Sequence, residues 1–102
     1  MTKDPQITVA VKEILDLIKN ISPGKSVELR VPPYGAIQCV AGSNHRRGTP
    51  PNTVEMSGQT LIRLVNEPSL WSDLCESGEV RASGLLSDLS NLFAQAAAKY
   101  RA

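Results

Sequence analysis

The feature that most restricts how this chain folds is a change of hydrophobic period around Ser22-Pro23-Gly24. Before it, Ile7, Val11, Ile14, Leu15 and Ile18 recur at helical spacing on one face, with Lys12, Glu13, Asp16 and Lys19 mostly opposite. Asp4 is placed to cap that helix and Pro5 suits its first turn. After the break, Val27, Leu29 and Val31 alternate with Glu28 and Arg30, the pattern of a half-buried strand. A helix with one apolar face followed by a strand with one apolar face calls for a shared interior.

The rest of the chain continues this mixture. Pro32-Pro33-Tyr34-Gly35 must bend or break the ladder, because two prolines supply no N–H donors. Residues 36–41 read as a second strand, and Ile37, Cys39 and Val40 suggest that it is buried on both faces or nearly so. Residues 42–52 form the one long irregular stretch, a length often associated with function or mobility. A short strand follows at 53–56. Ser57 then reads as the cap of a helix carrying Leu61, Ile62, Leu64 and Val65, which Pro68 stops. Ser69 is expected to cap another short helix, with Gly78 ending it in a left-handed turn. A last strand at 80–83 is closed by Gly84, and Leu89, Leu92, Phe93, Ala96 and Tyr100 trace a final helix. The order is α, β, β, loop, β, α, α, β, α, which predicts an α+β fold with helices on one face of a sheet.

Length and charge exclude several classes. The 102 residues suit one domain spanning 1–102 and leave no room for a second. Eleven basic residues against ten acidic give a net charge of +1, which argues against a dedicated nucleic-acid binder. No stretch approaches the ~20 apolar residues of a membrane span, and the first residues do not read as a signal peptide. Cys39 and Cys75 form no C-x-x-C pair, so a zinc or thioredoxin-like site has no support and no cofactor is implied. A cytoplasmic protein with reduced thiols is the simplest expectation.

Two sets of residues resemble a known family. Met56-Ser57-Gly58-Gln59-Thr60-Leu61, then Trp71 and Leu74, then the run from Gly78 to Gly84, then Asp88-Leu89 and Leu92-Phe93, are similar to the second half of sterol carrier protein domains. Val31-Pro32-Pro33-Tyr34, Gln38-Cys39-Val40 and the segment from His45 to Glu55 resemble a small actinobacterial branch of that superfamily, the bacterial sterol carrier protein orthologues. The resemblance spans roughly residues 26–93. It implies a sterol carrier protein-like α+β fold: a curved mixed β-sheet with helices packed mainly on one face and, in the better-known members, a lipid tunnel between them. This chain is short, has one Phe and lacks a Met- or Phe-rich C-terminal segment, features that count against a sterol-sized tunnel.

The resemblance directs attention to Ile37, Met56, Leu61, Leu64, Trp71, Leu89, Leu92 and Phe93, which either line a hydrophobic cavity for a lipid or acyl-type ligand or pack against each other. A lipid-sized pocket occupies at least ~300 Å³, and an empty apolar one costs about 24 cal/mol per Å³, roughly 7 kcal/mol. That approaches the whole stability of such a domain, ~5–15 kcal/mol, so a permanently empty tunnel is not expected. His45, Arg46 and Arg47 could hold an anion such as a phosphate, a carboxylate or coenzyme A, or form a solvated basic turn. A catalytic pair of His45 with Cys39 has nothing in the sequence to bring it together, and a strand cysteine usually serves as a small buried hydrophobe. Arg30, Gln38 and Glu55 are read as a buried ion-pair network tying the sheet together, or as the polar end of a pocket.

The leading expectation is therefore a non-catalytic binder of a lipid or acyl-type ligand. The alternative is a protein-interaction or self-association module with a collapsed core, which leaves a homodimer open. Exposure of Trp71, Ile37 or Leu92 would favour the alternative.

Overall fold

The computed structural model describes residues 3–42 and 52–101. Helix α1 spans Pro5–Ile21 and buries Val11, Ile14, Leu15 and Ile18, four of the five residues whose spacing predicts the helix. The Asp4 carboxylate accepts hydrogen bonds from the backbone N–H groups of Gln6 and Ile7, satisfying two donors that the helix itself leaves open.

Strands β1 (Val27–Val31) and β2 (Gly35–Cys39) form a hairpin whose turn is Pro32-Pro33-Tyr34. Strand β3 (Asn52–Met56) returns parallel to β1 on its other side. Helix α2 (Gly58–Asn66) follows, capped as expected by the Ser57 hydroxyl, which accepts the Thr60 N–H. A single 3-10 turn at Pro68–Leu70 leads into α3 (Trp71–Ser77). Here the expected Ser69 cap fails: Leu70 precedes α3, and no side chain caps it, because the chain arrives already wound. Gly78 ends α3 at φ +84°, the left-handed conformation that glycine adopts without strain. Strand β4 (Val80–Ser83) pairs antiparallel with β3, and α4 (Ser90–Arg101) closes the chain.

The sheet order is β2-β1-β3-β4, with one parallel and two antiparallel pairings. It is the expected α+β architecture, a mixed sheet with helices largely on one face. Val27, Leu29 and Val31 of β1 and Val54 and Met56 of β3 face the helices and are buried. They join the apolar faces of α1, α2, α3 and α4 in one buried cluster.

Two expectations about the sheet are corrected. Strand β2 pairs only with β1, so it is an edge, and Gly35 and Ala36 are exposed while Cys39 alone is buried. Arg30, Gln38 and Glu55 lie on the face away from the helices and are only partly covered. Arg30 pairs with Glu28, and Arg81 with Glu55, across a solvated surface. Such pairs contribute about 0–1 kcal/mol each, so the network dresses the open face and ties little together.

Candidate functional site

Seven of the eight apolar residues singled out above lie within the buried cluster: Met56, Leu61, Leu64, Trp71, Leu89, Leu92 and Phe93. Trp71 and Phe93 stack at a centroid distance of 5.7 Å, joining α3 to α4. Ile37 is half-buried and packs against the cluster from the edge strand. Trp71 and Leu92 therefore do not present the exposed surface that would have favoured an interaction module. His45, Arg46 and Arg47 lie outside the described residues.

One place where this core meets the surface is a groove between the end of α1, Val40 and the segment from Leu85 into α4. Its volume is about 320 Å³. Its lining mixes the apolar Ile21, Val40, Leu85, Leu86, Leu89 and Leu92 with the polar Ser22, Asp88, Asn91 and Gln95. Two other concavities, larger at about 550 and 630 Å³, border the sheet near β4 and the Pro32-Pro33-Tyr34 turn, and their linings carry charges of both signs, including Arg81 and Glu55.

The groove owes its shape to a turn. Gly84 leaves β4 at φ +110°. A Cβ there would lie 2.2 Å from the Asn52 Oδ1, so no other residue fits without moving Asn52. The Ser87 hydroxyl donates to the Gly84 carbonyl at 2.7 Å and closes the turn. Leu85 at its tip is fully exposed and Leu86 is 44% exposed, although both are leucines beside buried leucines. Asn52 fixes this segment to the sheet: its Nδ2 donates to the Ser26 carbonyl at 2.8 Å, and its Oδ1 accepts the Leu86 N–H at 3.0 Å. Asn52 is buried, so both contacts are shielded from water. Gly42 approaches the same point, since a Cβ on it would lie 3.2 Å from Leu86 Cδ1. Gly42 and Asn52, the described residues that flank 43–51, therefore both lie beside Leu86, although neither lines the groove itself.

Sequence reasoning missed Leu85 and Leu86. Two apolar residues between Gly84 and Ser87 are too few to show any period, so they read as part of a connection. The available signal was an apolar pair held by turn residues on both sides, where an ordinary loop would be polar.

The titratable groups nearby are not poised for chemistry. Burial pushes the Cys39 thiol up to about 11, and Cys75 is raised too, by burial first and then by the charge of Asp88. A reactive cysteine needs the opposite shift. Hydrogen bonds from Ser90, through its hydroxyl and its backbone N–H, hold the Asp88 carboxyl below its usual value. Among the described residues no group of three or more His, Cys, Asp or Glu side chains could hold a metal ion, and no helix is long and apolar enough to cross a membrane.

A mixed four-stranded sheet with its helices on one side and an apolar groove beside the last helix defines a small domain of the sterol carrier protein class. The family model for the bacterial SCP ortholog matches residues 3–94, and the chain belongs to that family. The match extends the resemblance read from residues 26–93 back through α1. A solved structure described as a UbiJ-SCP2 ubiquinone synthesis protein superposes with a TM-score of 0.56 over 100% of this chain and 98% of that one. Its sequence identity is 19%, so the likeness is one of fold. No curated protein matches the chain.

Proposed function

We propose that this domain binds a single-chain lipid or acyl-type ligand, which enters at the Leu85–Leu86 groove and runs along Leu89 and Leu92 towards Met56, Leu61, Leu64, Trp71 and Phe93, with Ile37 bordering the same apolar cluster. The observation that carries this is the complete exposure of Leu85 on a groove that the core residues Leu89 and Leu92 also line. Exposed leucine in such a place marks a surface that something apolar covers. The free thiols of Cys39 and Cys75 support a cytoplasmic setting, and the resemblance supports an actinobacterial one. His45, Arg46 and Arg47 stay in the proposal as candidate polar contacts for the ligand on the chemistry of their side chains alone.

Magnitudes set the kind of ligand. Opening a sealed apolar space of ~300 Å³ costs roughly 7 kcal/mol. Each buried methylene contributes about 0.8 kcal/mol. A chain that parts α4 from the sheet thus needs about nine buried methylenes, and shorter chains stay in the groove.

The test is a series of straight-chain lipids of increasing length, read by melting temperature and by emission from Trp71, the only tryptophan. Chains of about six carbons should leave Trp71 unchanged, and chains of about twelve or more should shift its emission as the Phe93 stack is disturbed. At a ligand concentration 100 times Kd the stabilisation is about 2.7 kcal/mol, a melting shift of roughly 10–20 °C for a domain of this size. No change in either signal at any chain length, together with a bare polypeptide mass for protein purified from its host, would sink the proposal.

A further inference from the structure

We propose that the Leu85–Leu86 groove selects lipids whose head is an uncharged hydroxyl over lipids of equal length that end in a carboxylate. This rests on the groove being the ligand's entrance, as set out above, and adds the chemistry of the head.

The polar part of the lining supports it. Asn91 and Gln95 stand four residues apart on α4, so both exposed amides share one face, and Ser22, just past the end of α1, lines the same groove. A primary amide donates and accepts, as does a serine hydroxyl. An alcohol head does both as well, and can replace its hydration at such a lining bond for bond. A carboxylate only accepts.

Charge points the same way. Asp88 is the one charged residue among the described residues that line the groove, and it is acidic. It is held in place at the mouth, accepting the Ser90 N–H at 2.9 Å. The basic residues of α4, Lys99 and Arg101, lie in its last turn, roughly 16 Å along the axis from Asp88. Arg101 turns back to the Ala97 carbonyl. A carboxylate head would meet a fixed like charge, with no lysine or arginine in the described lining to offset it. Like charges about 4 Å apart in water change an equilibrium on the order of fivefold, and salt reduces the effect.

The experiment compares dodecanol with dodecanoate, each displacing a fluorescent lipid probe from the full chain at neutral pH and low salt. Wild type, Asp88→Asn and the double variant Arg46→Gln/Arg47→Gln are measured side by side. The expected result is dodecanol tighter by about fivefold or more, with Asp88→Asn removing most of the gap by strengthening dodecanoate alone. Dodecanoate binding as tightly as dodecanol in the wild type overturns the inference. So does a gap that Asp88→Asn leaves unchanged. An acid preference lost in the double arginine variant also overturns it and assigns the head to residues 46–47. Failure of both ligands to bind removes the entrance itself, a different outcome from lost selectivity. A dimer in sedimentation that Leu85→Ser dissociates would mean that a second copy covers the groove, and the selectivity inference falls with it.

Discussion

At the scale of single residues, Cys39 shows what burial does to a group that sequence alone leaves ambiguous. It ends β2, completely buried, and its thiol is pushed up to about 11 from an ordinary 9.0. The unfolded chain releases this proton near the ordinary value, and the folded chain holds it until about 11. Between those values the unfolded state binds fewer protons, so stability falls as pH rises. The loss attributable to Cys39 reaches about 2–3 kcal/mol by the top of the window. Urea melts across that range should therefore fall more steeply for the wild type than for Cys39→Ala, which starts lower at neutral pH because of its cavity. Parallel slopes would show that Cys39 has no such linkage. That Cys39 is a buried hydrophobe was legible from its apolar neighbours. Leu85 was not, because exposure at a turn depends on Asn52 more than thirty residues away.

At the scale of elements, most boundaries were written in local chemistry: Asp4 before α1, Ser57 before α2 and Gly78 after α3. These are contacts within a few residues, which is why a single sequence shows them. Strand β2 was legible as a strand and misread in its burial. Its apolar content said nothing of strand order, and an edge strand exposes what a central strand would hide. The junction of α1 with α2 offers a sharp test. Gly58 opens α2 against the Ile7 and Tyr34 side chains, and a Cβ there would lie 2.7 Å from Ile7 Cγ2 and 2.9 Å from Tyr34 Cε2. The Tyr34 hydroxyl meanwhile accepts the Asp4 N–H at 3.2 Å, tying the β1–β2 turn to the start of α1. Gly58→Ala should destabilise by about 1–3 kcal/mol through overpacking, whereas Gln59→Ala, exposed beside it, should stay within about 0.5 kcal/mol. Equal effects in denaturant titrations would show that the tight approach does not constrain the helix.

For the molecule as a whole, the α+β class and the one-sided helix layer could be read from the order of elements and the alternation in β1. The groove could not, since it gathers Ile21, Val40 and Leu85 from three distant stretches. The same sheet order has a further consequence. Both strands before residue 42 lie on one side of the β1–β3 pairing, and both strands after residue 51 lie on the other. The first segment contributes α1 and a complete hairpin, and the second contributes its own antiparallel pair with three helices. They meet along the parallel ladder and where α1 packs on α2 and α4. Severed between residues 46 and 47 and produced as two polypeptides in one cell, the halves should find each other and purify together, each bringing the greasy surface the other lacks. Separately they should be insoluble, which would make this small domain a natural two-piece reporter.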